Sequence, residues 1–400
     1  MEPALHTAPP RPASPSPSRL GWLDALRGIA ALVVVFEHSS YAFMAEFRQD
    51  LVPVFSTSRY GIMVFFLVSG YIIPASLERR GNVRGFWIGR VFRVYPLCVA
   101  VVVMLLAAGL LGVAKIRGVG DQSVATAALA HLTLLQELLG THNLLIVLWT
   151  LSYEMAFYLL VVALFTLRLH HHSATISATL AVLAAVSVAA GVALPVSALS
   201  GAVGTGPLIV LTTALLAVAV GCACAGSPVL RVVGGVVGAV VALALVAFNG
   251  TVPMWEGLVI LAVMFLGTAV HRAEHGQGPW WHAAVAVVAC GTGSALGDGA
   301  PAGWTTAFLL AMLTFAAGWA WRRRRIPRWL VGLGTISYSV YLVHPVLLAI
   351  SDGTIGRRQQ DNLALEVAFY VVLLPLCVLT YRWIEAPGQR WGRKLAGRIP

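Results

Sequence analysis

"LDALRGIAALVVVFEHSS", residues 23–40, has the apolar content of a membrane-crossing helix, yet it holds four ionisable side chains: Asp24, Arg27, Glu37 and His38. About 20 mostly apolar residues cross roughly 30 Å of hydrocarbon. An ionisable group inside such a span costs roughly 2.5–3.5 kcal/mol at the helix centre, so each needs a partner or a wet cavity. Runs of the same kind recur to the C-terminus, twelve in all, near 22–44, 60–79, 91–113, 144–168, 175–194, 206–225, 229–248, 254–271, 280–297, 303–321, 330–350 and 363–385. Of the 400 residues 58% are hydrophobic and 11% charged, where soluble domains carry about a quarter charged. The chain therefore reads as all-α, a polytopic integral membrane helical bundle of about 10–12 transmembrane helices. No alternating barrel pattern competes with this.

The net charge of +11 lies in short blocks between apolar runs, which argues for membrane orientation and against nucleic acid. Arg79, Arg80, Arg84, Arg90 and Arg93 follow the second run, Arg168 the fourth, and Arg322 to Arg325 with Arg328 the tenth. By parity these blocks share one side with the C-terminal Arg390, Arg393, Lys394 and Arg398, which places both termini in the cytoplasm of a multi-pass plasma-membrane protein. Lys115 with Arg117, and Arg357 with Arg358, fall outside in this scheme. Residues 1–20 are Pro-rich and read as a disordered tail, 21–386 as one membrane domain, and 387–400 as a basic cytoplasmic tail. Residues 114–143, with "AALAHLTLLQELLG", are expected to form an outer loop whose amphipathic helix lies on the bilayer or caps a cavity. "LHHHS" at 169–173 reads as a solvated helix end, and no metal is expected.

Arg27 and His38 are eleven residues apart, which returns within about 20° of one helix face and rises roughly 16 Å. Asp24 is placed to pair with Arg27 near the cytoplasmic end. Glu37 points elsewhere and has no assigned role. "LWTLSYEMAFYLL" sets Trp149 and Ser152 on one face and Glu154 near mid-membrane; "TISYSVYLVHPVLL" aligns Ser337, Tyr341 and His344 in one stripe. Ser69 and Gly70 are small enough for close helix approach. A histidine able to act as base near neutral pH, oriented by a carboxylate, suits removal of a hydroxyl proton. Arg90 and Arg93, three apart, put two guanidinium forks on one face and suit a phosphate, or else anchor the topology.

The ordered set "LDALRGIAAL" running to a histidine, "FFLVSGYI", "RVFRVYP", "WTLSYEMAFYLL", "SYSVYLVHP" and "YRWIEAP" resembles the membrane acyltransferase-3 family. The resemblance implies an O-acyltransferase without a resident cofactor, which takes an acyl group from acyl-CoA and delivers it to a hydroxyl, usually on a sugar. By that resemblance Arg27 and His38 are the family's Arg-to-His pair, and Arg90 and Arg93 its cytoplasmic arginines for the CoA phosphates. Glu154 is its span-four acid, His344 its late-span histidine and Glu385 its C-terminal acid. His38 is then the general base or a transient acyl carrier, oriented by Glu154 or another buried acid. Ser69, Trp149, Tyr341 and His344 line the substrate path. The acceptor is expected to be a hydroxylated sugar or glycosylated small molecule, such as a macrolide; richness in Ala, Val, Gly and Arg suggests a GC-rich bacterial genome and weakly favours this over cell-surface polysaccharide or peptidoglycan. The alternative from another class is a proton-coupled transporter, which needs neither the paired arginines nor the Arg-to-His stripe.

Overall fold

The computed structural model describes residues 20–116, 122–190, 195–296 and 300–398. The Pro-rich stretch 1–19, Arg117 and the last two residues lie outside them. The described chain runs through α1 (Gly21–Phe43), α2 (Ala45–Leu51), α3 (Thr57–Arg80), α4 (Val83–Leu110), α5 (Val124–Thr133), α6 (Trp149–Thr166) and α7 (Ser173–Ala189). It continues through α8 (Ala198–Val203), α9 (Thr205–Ala223), α10 (Pro228–Phe248), α11 (Met254–Glu274), α12 (Trp281–Leu296) and α13 (Trp304–Ala320). α14 (Arg328–Thr354) and α15 (Leu363–Thr380) follow, and a π-helical turn, Tyr381–Glu385, leads into α16 (Ala386–Ala396). A helix forms within each of the twelve apolar runs. Among the described residues nine helical segments are long and apolar enough to cross a membrane, with α15 to α16 counted as one. The charge-bearing α1 and the shorter α12 and α13 are not among the nine.

Helix ends follow from local chemistry. Gly81 ends α3 in the left-handed conformation, φ 66°, and the Asn82 side chain accepts from the Gly85 N–H to start α4. Two residues thus reverse the chain and bring Arg80 and Arg84 to the same end of the bundle. α3 and α6 are buried on nearly all sides, whereas α9, α10 and much of α4 turn valines and leucines outward, as lipid-facing helices do.

α1 and α14 run parallel with unusually close backbones. A Cβ on Gly334 would lie 1.8 Å from the Asp24 carbonyl oxygen, and one on Gly28 2.9 Å from the Gly334 nitrogen. Only glycine permits this contact. Ten residues further along each helix, His38 and His344 face each other.

Within 114–143, read from the sequence as an outer loop with an amphipathic helix, the described residues are 114–116 and 122–143. α5 is a short helix, but the residues after it turn inward: Leu135, Gln136, Leu138 and Leu139 are fully buried. Gln136 donates to the Leu148 carbonyl at 2.9 Å, and Asn249 to the Leu138 carbonyl at 2.8 Å. Inside this plug Glu137 accepts from Asn143 at 2.5 Å and from Thr251. Burial pushes the Glu137 carboxyl above its usual range. The segment 387–398, expected as a tail, is mostly the helix α16, packed on α4.

Candidate active site

His38 Nδ1 lies 2.9 Å from His344 Nε2, with the two rings stacked at 17°. Pro345 has no N–H for the helical bond to the carbonyl of Tyr341. One residue earlier in the same helix, His344 Nδ1 is 2.9 Å from the Val340 carbonyl oxygen. A carbonyl only accepts, so His344 Nδ1 carries the hydrogen. In the neutral ring His344 Nε2 is then the acceptor, and the hydrogen between the rings belongs to His38 Nδ1. His38 Nε2 is left with its lone pair, the arrangement a general base needs.

Tyr341 connects this pair to a cavity. Its ring meets His344 edge-on at 6.2 Å, and its hydroxyl shares a hydrogen bond with Thr150 at 2.7 Å. The cavity, about 70 Å³, is lined by Tyr341, Thr150, Ser69, Glu154, Arg27 and Arg93, among others. Arg27 and Arg93 also line a second cavity of about 260 Å³, with Asp24 and Glu385 on its wall. Asp24, Glu385 and Glu154 surround Arg27 with negative charge, partly opposed by Arg93. Arg93 further lines a vestibule of about 1430 Å³, which Arg90 shares. Three cavities therefore meet at Arg93. Neither His38 nor His344 is on the wall of these three cavities; Tyr341, on the wall of the smallest, stands between it and the histidine pair.

Glu154 is placed differently from its expected role. It accepts from Tyr158 at 2.5 Å, and Arg90 lies over the faces of Phe86 and Tyr158 at 5.3 and 5.4 Å. His38 shares its hydrogen bond with His344, and Glu154 lines the cavity with Arg27, Ser69 and Tyr341. Trp149 is not among the cavity residues: Arg59 lies over its ring at 5.3 Å, and Tyr153 meets it edge-on. The neighbouring Thr150 takes the place on the wall. Ser337 bonds its own helix at the Gly334 carbonyl, so only Tyr341 and His344 of that stripe reach the site.

Glu37 gains an account. It pairs with Arg48 at 3.1 Å and accepts from Thr57, tying α1 to α2 and α3 beside His38. Both partners lie between the apolar runs, where periodicity says nothing. Glu385 is buried at the π-helical turn, accepting from Ser339 at 2.8 Å and Gln389 at 3.0 Å. π-helical turns often mark functional sites, and the sequence signal here was the acid before Pro387.

A family model described as an acyltransferase domain, acyltransferase-3, matches residues 20–382. No curated protein and no solved structure matches the chain.

Proposed function

Because this chain belongs to the acyltransferase-3 family of membrane acyltransferases, we propose that it is an O-acyltransferase drawing on acyl-CoA at its arginine-rich, cytoplasmic side. The acceptor is a hydroxyl of a sugar or glycosylated secondary metabolite. The observation that carries this reading is the His38–His344 pair, which leaves a lone pair on His38 Nε2, next to Tyr341 on the wall of the inner cavity. In this reading His38 Nε2 takes the hydroxyl proton as the oxygen attacks the thioester carbonyl. The C–S bond then breaks, and the CoA thiolate leaves and is protonated. Arg90 and Arg93 hold donor phosphates, where guanidinium forks match phosphate oxygens. Arg27 and Glu154 set the charge of the passage between donor and base, with Ser69 and Tyr341 on its wall. Both termini are cytoplasmic in this arrangement.

The test compares secreted metabolites and cell-surface glycans, by mass spectrometry, from hosts carrying wild type or His38→Ala. Loss of an acylated product in the variant is expected. Identical acylation in both hosts removes His38 from the chemistry.

A further inference from the structure

The vestibule is built for more anionic charge than two arginines explain. Seven arginines line it, Arg84, Arg168, Arg231 and Arg393 among them, with His170 and His171, and among the described residues no Asp or Glu shares the wall. The N-terminal residues of α4 and α10, Val83 and Pro228, also face it. Helix N-termini add partial positive charge and free N–H groups. Arg168 is held at φ 59°, a left-handed conformation that is unfavourable for a non-glycine residue. Its side chain stands in the cavity all the same.

One wall comes from α16, beyond the last residue matched by the family model, through Gln389, Gly392 and Arg393. α16 is pressed against α4: a Cβ on Gly392 would lie 2.6 Å from Phe92 Cβ, and one on Gly388 2.9 Å from Pro96 Cγ. Through Gln389 it also holds Glu385, which shares the inner cavity with Arg27 and Arg93. The helix is thus a fixed, basic wall joined to the passage.

Resting on the acyl-CoA reading above, we propose that α16 forms the nucleotide side of the donor site. Arg393, with Arg231 and Arg168, holds the 3′-phosphate of the CoA nucleotide, while Arg90 and Arg93 take the diphosphate nearer the passage. A ribose 3′-phosphate is a dianion, and charge-assisted guanidinium bonds are the strong way to hold it.

The experiment measures binding of CoA and 3′-dephospho-CoA to the full chain in nanodiscs. Wild type is expected to favour CoA about tenfold, and Arg393→Gln and Arg231→Gln each to compress that ratio towards one. Each is also expected to lower the slope of binding against salt by about one. An unchanged ratio in both variants overturns the proposal. Arg393 is exposed, so its replacement leaves the core intact. Nanodiscs with and without phosphatidylglycerol separate nucleotide from lipid headgroup. Equal CoA affinity in both supports the nucleotide, whereas competition relieved by Arg393→Gln assigns these arginines to lipid and overturns it. Failure of wild type to bind any CoA species strikes the acyl-CoA reading itself, and so differs from loss of the 3′-phosphate effect alone.

Discussion

Replacing His344 by Phe tests whether the histidine pair sets the base. The ring volume is kept, but the acceptor for His38 Nδ1–H at 2.9 Å is lost. A buried donor without a partner costs roughly 1–3 kcal/mol. His38 escapes that cost only by turning away or by moving its hydrogen to Nε2, and either removes the lone pair from the hydroxyl. At about 1.36 kcal/mol per decade of rate, kcat should fall about 5- to 150-fold. KM for the donor should hardly move, because the donor arginines lie at the other end of the passage. His344→Gln restores an acceptor and should recover part of the loss. The assay is steady-state acyl transfer in nanodiscs, with thermal unfolding measured on the same preparations. Wild-type kcat in a folded His344→Phe protein would refute the tautomer reasoning.

Other consequences follow from the same geometry. Gly70→Ala places a Cβ 1.6 Å from the Met264 carbonyl oxygen, so α3 and α11 must part; overpacking of about 1–3 kcal/mol should lower the unfolding temperature and the folded yield, and an unchanged melting curve contradicts that contact. Arg90→Ala should raise donor KM with little change in kcat, whereas Arg93→Ala, at the meeting of all three cavities, should change both; equal effects argue against a division between holding and passage. Glu137, raised by burial, favours the folded state when protonated. Its contribution is full below the ordinary Glu value of about 4.3 and lost as pH rises through its higher folded value, so Glu137→Gln should flatten the decline in stability above pH ~4.3. Parallel pH curves for the two proteins would show that Glu137 does not titrate between the states.

The helices were legible because crossing a bilayer demands long apolar runs, and a helix forms within each of the twelve. Which face of a helix a residue occupies was also legible, so Arg27, His38, Tyr341 and His344 could be set on stripes. What periodicity does not carry is which helix packs on that face. Hence Glu154 or another buried acid was expected to orient His38, whereas the hydrogen-bond partner that the close approach at Gly28 and Gly334 brings to it is His344. Trp149 and Thr150 are neighbours in sequence, and only packing decides that Thr150 lines the cavity. Glu37 found its partners in Arg48 and Thr57 outside the apolar runs. The vestibule was hidden for another reason: Arg168, Arg231 and Arg393 come from loops and helix ends far apart in sequence, where a single arginine looks like a topology anchor.

The most direct test of the central claim follows radiolabelled acyl groups from acyl-CoA to a hydroxylated glycoside acceptor, using purified protein in nanodiscs. Wild type should transfer the label and His38→Ala should slow transfer by about 10²–10⁴-fold at unchanged donor affinity, the usual contribution of a general base. Equal transfer by the two proteins would contradict the account.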